Sequence, residues 1–179
     1  EPLVQTRPMH IRSQVWEELT GQKIQTFVCD IAENPKSLFN VIDKFMPDAV
    51  VHFAEQPSAP FSMMGRDKCI STQQNNVNGT LNLIFAIQHT NPDIHIIKLG
   101  TMGEYGYDPG LEIPEGFYET EFRGKKAKVP FPKLAGSWYH WTKVHDSNNI
   151  MFACKLWGIK STDIMQGIVY GTKTDEMKN

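Results

Sequence analysis

The chain has 179 residues, of which 18 are Lys or Arg and 20 are Asp or Glu, so its formal net charge at pH 7 is −2. This length suits one domain with a real core, and a near-neutral chain without a basic stripe is not expected to bind nucleic acid. No apolar run approaches the roughly 20 residues that span a bilayer, so we expect no membrane partner. The three Cys and six His show no metal-ligand spacing, which predicts reduced thiols and no metal site.

Helices and strands alternate along the predicted chain, because long stretches of helical periodicity separate short apolar runs. In order, the sequence predicts a helix over 10–21 that ends at Gly21, a strand over 23–30, a helix over 35–45, a buried strand over 48–54, the body of a long helix over 77–90, a buried strand over 93–100, a hairpin over 117–131 that turns at Arg123-Gly124, a long helix over 135–158 that ends at Gly158, and a final strand and loop over 160–171. This alternation predicts parallel βαβ units in a doubly wound α/β fold.

Three glycines follow the buried strand over 93–100 in a G-x-x-G-x-x-G pattern: Gly100, Gly103 and Gly106. A glycine-rich loop holds a pyrophosphate when a helix leaves it, but two prolines and two glycines follow this one within ten residues. The pattern is therefore not interpreted as a phosphate loop. Thr101 stands at the carboxyl end of the strand, where open α/β sheets bind ligands, and is the candidate functional residue.

Tyr139 and Lys143 lie four residues apart on the predicted long helix, so they share one face. An ammonium group beside a phenol favours the phenolate, which predicts that Tyr139 is a base. Alone, this spacing is equally typical of a helical surface pair. Together with Thr101 it predicts a hydrogen-bonded set around a sugar alcohol.

Five motifs carry a resemblance to a known family. In chain order they are CDI (29–31), HFAEQ (52–56), NNVNGT (75–80), TMGEYG (101–106) and YHWTK (139–143). In this order the chain resembles the extended short-chain dehydrogenases/reductases of the NAD-dependent epimerase/dehydratase type. Longer runs, including VVHFAEQPSAPFSM and KLGTMGEYG, resemble the branch that makes a sulfonated sugar nucleotide from UDP-glucose and sulfite.

The resemblance implies NAD as the cofactor. The positions that it implies for cofactor binding are Asp30, Ile31, Ala54, Glu55, Asn75, Tyr139, Lys143, Gln166 and Gly167. The positions that it implies for the sugar nucleotide are Gln56, Thr101, Met102, Gly103, His140 and Gln166. Thr101 and Tyr139 would bind the hydroxyl on carbon 4 of the glucose, and Tyr139 would take its proton as NAD takes the hydride.

One departure from the related 4,6-dehydratases concerns the two positions after the threonine. Those enzymes have a carboxylate pair there, whereas this chain has Met102 and Gly103. Acid/base work at carbons 5 and 6 would have to move, and we nominate His140 and Glu104 for it.

The family pattern also implies parts that this sequence does not contain. Residues 1–179 are expected to form part of an NAD-binding Rossmann-like domain, incomplete at both ends, without the first glycine-rich βα unit and the C-terminal substrate domain. The full-length protein is expected to be a homodimer, located in the cytoplasm of a prokaryote or in the chloroplast stroma of a photosynthetic eukaryote.

Two other functions fit parts of the pattern. A UDP-hexose 4-epimerase or a 4,6-dehydratase-like enzyme would share the threonine, tyrosine and lysine, and a non-catalytic Rossmann-like binding protein would explain the missing glycine turn. Individual residues also have structural interpretations: Asp30 as a turn residue, Asn75 and Asn76 as helix caps, and His52 and His95 as core histidines.

Overall fold

The computed structural model describes residues 8–106 and 112–169. Its helices are α1 (Met9–Thr20), α2 (Pro35–Phe45), α3 (Ala59–Ser62), α4 (Arg66–Gln73), α5 (Gly79–Thr90) and α6 (Trp138–Trp157), with a π-helical turn at Gln74–Asn78 and a 3₁₀ turn at Met102–Tyr105. Its strands are β1 (Ala49–His52), β2 (His95–Thr101), β3 (Phe117–Phe122), β4 (Lys125–Pro130) and β5 (Ser161–Gln166). In this part of the chain, no helix is long and apolar enough to cross a membrane.

Three parallel strands form the central sheet in the order β1-β2-β5. Helices connect these strands, so the predicted parallel α/β architecture is confirmed. The core lies where α2, α5 and α6 meet β2, and its buried members include Leu38, Ile42, Leu83, Ile84, Ile87, Ile96 and Ile150. A separate antiparallel hairpin joins β3 to β4.

Local sequence signals placed most element ends correctly. Gly21 and Gly158 adopt the left-handed conformation just after α1 and α6, which is the usual helix C-terminal role of glycine. The Asn34 side chain caps the start of α2 by accepting from the Ser37 N–H. The hairpin turns at Arg123 and Gly124, both with positive φ, as a two-residue turn requires. The predicted helix ends at Gly21 and Gly158 and the predicted turn at Arg123-Gly124 are confirmed.

The predicted strand over 23–30 is wrong, because the structure has no strand there. A strand needs a neighbour to pair its N–H and C=O groups, and in the described residues none lies beside this segment. Phe27 and Val28 are consequently exposed. The final predicted segment forms β5, and its last two residues, 170–171, lie outside the described part of the chain.

The strand predicted over 48–54 forms at the edge of the sheet and is only four residues long. The expectation that it would be buried is wrong for most of its length, since Val51 and Phe53 are exposed and only His52 is fully buried. A strand with a partner on one side only leaves its other side open.

Asn76, in the π-helical turn, ties the segment after β1 to α6. Its buried side chain accepts from the Gln56 N–H (2.8 Å) and donates to the Gln56 carbonyl (3.2 Å) and to Thr142 Oγ1 (2.9 Å). One amide thus fixes the backbone that follows HFAE and the helix that carries Tyr139 and Lys143.

We expect Asn76→Ala to lower the free energy of unfolding by about 1–3 kcal/mol, because it leaves buried polar groups without partners. The exposed Asn78, in the same turn, is the matched control, and Asn78→Ala should stay within about 0.5 kcal/mol of the parent. Urea unfolding of the native protein measures both changes. Equal midpoints for the two variants would refute the role of Asn76.

Candidate active site at the carboxyl edge of the sheet

The three central strands end at one edge of the sheet because they are parallel. His52 ends β1, Thr101 ends β2 and Gln166 ends β5, and Thr101 and Gln166 are register partners. Most residues singled out in the sequence follow these strand ends or lie on the facing side of α6. The edge is therefore the candidate site.

Lys143 reaches this edge from the middle of α6. Its Nζ donates to the carbonyl of Leu99 at 2.8 Å and lies 2.6 Å from Glu55 Oε2. Both side chains are almost completely buried, at 5% and 3% exposure. The ammonium is thus held at the end of β2 by one backbone carbonyl and one carboxylate.

Tyr139 lies one helical turn before Lys143, whose Nζ is 5.8 Å from the centre of the phenol ring. Its backbone N–H donates to Ser62 Oγ, which joins the start of α6 to α3. Burial, together with the charges of Glu55, Glu104 and Asp146, raises the pKa of Tyr139 to about 12. The expectation that Lys143 favours the phenolate is wrong for this arrangement, because burial and these carboxylates favour the phenol.

Thr101 ends β2 and begins the 3₁₀ turn, where its Oγ1 accepts from the Gly103 N–H at 3.1 Å. Met102 is exposed beside it. Gly103 faces the ring of His140 so closely that a Cβ at position 103 would lie 3.1 Å from His140 Cε1 and closer still to Nε2 and Cδ2. The dehydratase carboxylate and this histidine ring therefore cannot occupy the same space.

His140 is half-buried at the start of α6. Its Nδ1 lies 2.9 Å from the Oγ of Ser137, the residue that also caps the helix. Burial lowers the pKa of His140, against the opposing charge of Glu104. The ring is therefore neutral near pH 7, which is the form that can accept a proton.

Glu104 lies in a fully buried ionic cluster beneath the 3₁₀ turn. Its oxygens contact Lys98 Nζ (3.3 Å), Lys133 Nζ and Ser147 Oγ (2.9 Å). Burial acts to raise the pKa of Glu104, but Lys98, Lys133 and the hydrogen bonds outweigh it and hold the pKa below its usual value.

Lys98 is the centre of this cluster, and the sequence analysis missed it. It is fully buried and donates to the Lys143 carbonyl (3.0 Å), to Ser147 Oγ (2.7 Å) and to Asp163 Oδ2 (3.3 Å). A lysine inside the apolar run HIIKLG was the available signal, since a buried lysine requires buried acceptors.

The other predicted cofactor positions are spread more widely. Asp30 Oδ1 accepts from the N–H groups of Ala32 and Glu33, which is the turn role considered for it. The Ile31 carbonyl accepts from Asn82, and Asn75 donates to Asn76. Ala54 and Gly167 are exposed, after β1 and β5 respectively.

Gln56 has a buried amide nitrogen with no hydrogen-bond partner among the described residues, while its Oε1 accepts from the Ser58 N–H. It follows Glu55 at the carboxyl edge of the sheet. An unsatisfied buried donor is costly, so this nitrogen is suited to a polar ligand.

Residues 8–106 and 112–169 contain no group of three or more His, Cys, Asp or Glu side chains that could hold a metal ion. The three cysteines, Cys29, Cys69 and Cys154, are free thiols.

Comparison with known families matches residues 7–154 to the NAD dependent epimerase/dehydratase family. This match spans most of the chain, which therefore belongs to that family. Thr101, Tyr139 and Lys143 all lie within the matched residues.

Two relatives are about half identical to this chain over the residues that align with it. UDP-sulfoquinovose synthase of Spinacia oleracea, a chloroplastic protein, is 50% identical over 165 residues, which are 92% of this chain and 34% of the relative. UDP-sulfoquinovose synthase of Sulfolobus acidocaldarius is 48% identical over 158 residues, which are 88% of this chain and 40% of the relative. The chain thus spans between a third and two fifths of the length of these relatives.

Among solved structures, the chain is similar to UDP-glucuronic acid 4-epimerase from Bacillus cereus in complex with UDP-glucuronic acid and NAD. The TM-score is 0.65 with 18% identity, over 88% of this chain and 44% of the epimerase. At this identity the similarity shows the fold alone.

His52 lies beneath the site, with its Nε2 3.0 Å from Thr80 Oγ1 and 3.7 Å from Glu55 Oε1. The interpretation of His52 as a core histidine is confirmed. His95, the other histidine in that interpretation, is half-buried and bonds Thr162. Burial lowers the pKa of His52 to about 4, with Lys143 and Lys98 adding to the effect.

The protein should lose stability as the pH falls from 6.5 to about 4, because in this range the unfolded chain binds a proton at His52 and the folded chain does not. The contribution of His52 is complete above pH 6.5 and amounts to roughly 3 kcal/mol, at about 1.4 kcal/mol per pKa unit. Urea unfolding at several pH values should show a shallower acid loss for His52→Gln than for the parent. The exposed His145 supplies the control, and a His52→Gln slope equal to that of His145→Gln would contradict the assignment.

Proposed function

We propose that the protein containing this chain is a UDP-sulfoquinovose synthase, which converts UDP-glucose and sulfite to UDP-sulfoquinovose with NAD as its bound cofactor. The observation that carries the proposal is identity of about one half, over nearly the whole chain, to two proteins of that name. The Thr101, Tyr139 and Lys143 set supplies the alcohol-oxidising chemistry that such a reaction needs.

The residues at the sheet edge fit a nicotinamide dinucleotide. The unpartnered Gln56 amide and the buried Lys143 ammonium offer donors to ribose hydroxyls and phosphate oxygens. The residues that would hold NAD are Asp30, Ile31, Ala54, Glu55, Asn75, Tyr139, Lys143, Gln166 and Gly167. When bound, NAD supplies the acceptor, and later the donor, of the hydride at carbon 4.

Three side chains act on the sugar in this proposal. Thr101 and Tyr139 bind the hydroxyl on carbon 4, and Tyr139 exchanges its proton with that oxygen. Lys143 binds the nicotinamide ribose and stands beside the phenol, 5.8 Å from its ring centre. The remaining substrate contacts are proposed for Gln56, Met102, Gly103, His140 and Gln166.

His140 is the proposed base at carbon 5. A ketone at carbon 4 acidifies the carbon 5 proton, and its removal allows water to leave carbon 6 and sulfite to add to the resulting enone. The base role requires the tautomer in which Nδ1–H donates to Ser137 Oγ and Nε2 accepts. Gly103 leaves the room that the ring occupies, so the histidine takes the place of the dehydratase carboxylate.

Glu104 is the second candidate for acid/base work. Its buried contacts with Lys98, Lys133 and Ser147 favour a carboxylate that stays ionised and stabilises the 3₁₀ turn. We therefore rank it after His140.

The complete protein is proposed to extend beyond this chain on both sides. Residues 1–179 would form the interior part of its NAD-binding domain, with a glycine-rich βα unit before it and a substrate domain after it. We propose a homodimer, located in the cytoplasm of a prokaryote or, like the spinach relative, in a chloroplast.

The test mixes the native full-length protein with NAD, UDP-glucose and sulfite and follows the products by mass spectrometry. We expect UDP-sulfoquinovose, formed only when sulfite is present. Formation of UDP-galactose, with or without sulfite, would identify a 4-epimerase instead, and a UDP-6-deoxy-4-keto sugar would identify a dehydratase. Binding without any turnover would favour the non-catalytic alternative.

His140→Ala should leave carbon 4 oxidation, seen as NADH absorbance, nearly intact and should slow solvent-deuterium exchange at carbon 5 by about 100-fold to 10,000-fold. His145→Ala is the matched control, because His145 is an exposed histidine on the same helix, and it should exchange at the parent rate. Parent-rate exchange in His140→Ala would make Glu104 the next residue to test.

A further inference from the structure

Backbone hydrogen bonds at Glu55 and at the next residue hold Glu55 in place. Its N–H donates to the Phe53 carbonyl at 2.8 Å, which forms a tight turn after β1, and the next residue, Gln56, is held on both backbone groups by Asn76. These contacts direct the Glu55 side chain inward, where 3% of it is exposed.

The inward carboxylate meets Lys143, 2.6 Å away. The same ammonium donates to the Leu99 carbonyl at 2.8 Å. The Leu99 carbonyl accepts a hydrogen bond from the ammonium, whereas Glu55 holds it by charge, since neither Glu55 oxygen has a hydrogen-bond partner among the described residues. Glu55 therefore fixes the position of the ammonium, which lies 5.8 Å from the centre of the Tyr139 ring.

The charges at the site can be counted group by group. The groups that face Tyr139 are Glu55 after β1, Glu104 in the 3₁₀ turn, and His140, Lys143 and Asp146 on α6. Glu104 is balanced by Lys98 and Lys133. Burial, together with the charge of Glu55, raises the pKa of Asp146 well above its usual value.

The Lys143 ammonium is thus shared by two possible anions, Glu55 and Tyr139. We propose that Glu55 is a positioning residue, which holds the ammonium of Lys143 at the end of β2 and competes with Tyr139 for the charge of that ammonium. While Glu55 is ionised, Tyr139 stays a phenol. When the proton of Tyr139 moves to Glu55, the net charge of the three groups is unchanged and the phenolate takes over the ammonium.

This inference rests on the proposed function for its meaning in turnover. A reaction that removes a hydride and later returns it must also return the hydroxyl proton to carbon 4. A proton shared among Glu55, Lys143 and the half-buried Tyr139 is kept for that return. Tyr139 therefore acts as a base while Glu55 holds the phenol proton, and as an acid when it returns a proton to the oxygen on carbon 4.

The test follows the phenol directly in the native full-length protein without cofactor. Tyrosine labelled with ¹³C at Cζ reports phenol and phenolate as distinct shifts, and Tyr139→Phe assigns the resonance. The titration runs from pH 7 to pH 12, and the parent should show Tyr139 as a phenol through most of this range, because its pKa is raised to about 12. In Glu55→Gln the titration midpoint should fall by about one pH unit or more, because a buried negative charge beside the phenol is lost.

Two further variants distinguish the loss of the Glu55 charge from a general disturbance of the fold. His145→Ala changes an exposed side chain on the same helix and should leave the Tyr139 titration at the parent midpoint. Glu55→Asp keeps the negative charge and should restore the parent behaviour. An unchanged midpoint in Glu55→Gln, or an equal fall in His145→Ala, would overturn the proposal.

A measurement on the parent covers the case in which Glu55→Gln does not fold. With the Glu55 carboxyl carbon also labelled, the Tyr139 Cζ chemical shift should change at the pH at which Glu55 titrates. A Tyr139 shift that does not change at that pH would overturn the proposal.

These results are separate from the product assay. A lowered Tyr139 midpoint in a protein that makes no UDP-sulfoquinovose would reject the proposed function and keep the inference, whereas an unchanged midpoint in an active synthase would do the reverse.

Discussion

A lysine ammonium taken out of water needs a hydrogen-bond acceptor or a counter-charge, and Lys143 has both at the end of β2. Its Nζ donates to the Leu99 carbonyl at 2.8 Å and lies 2.6 Å from the Glu55 carboxylate. A buried pair of this kind costs desolvation energy, which only close geometry offsets. The pair therefore acts mainly by positioning, because it fixes how α6 lies against the sheet edge and so fixes the position of Tyr139.

A second buried lysine, in the layer beneath the site, is also surrounded by acceptors. Lys98 points from β2 toward α6 and is surrounded by Glu104, Asp163, Ser147 and the Lys143 carbonyl. Lys98 and Lys143 each link β2 to α6, because Lys98 donates to a backbone carbonyl of α6 and Lys143 donates to a backbone carbonyl of β2. Glu104 contacts Lys98 and anchors the 3₁₀ turn. The position of Thr101 at the start of that turn depends on this ionic cluster, because an incomplete polar network in the interior would be strongly destabilising.

The sequence predicted the helices and the parallel sheet well, since caps such as Gly21 and Gly158 and the apolar periodicity are local signals. It failed at 23–30, where an apolar run predicts a strand but pairing depends on a neighbour that local sequence does not reveal. Thr101, Tyr139 and Lys143 were predicted as site residues from their spacing and motifs, and that assignment stays a prediction. Lys98 was missed, and Asn76 was interpreted as a helix cap, because their roles come from long-range contacts. The sign of the Tyr139 pKa shift was wrong because the shift depends on burial and on carboxylates distant in sequence, such as Glu55.

The central claim is that the Lys143 ammonium is held between the end of β2 and Glu55 before any ligand arrives. A high-resolution crystal structure of the cofactor-free native protein near pH 7 measures this directly. The account predicts Lys143 Nζ within about 3 Å of both the Leu99 carbonyl and the Glu55 carboxylate, as charged hydrogen bonds require. A Lys143 side chain turned toward solvent, or a Glu55 carboxylate turned out of the interior, would contradict it.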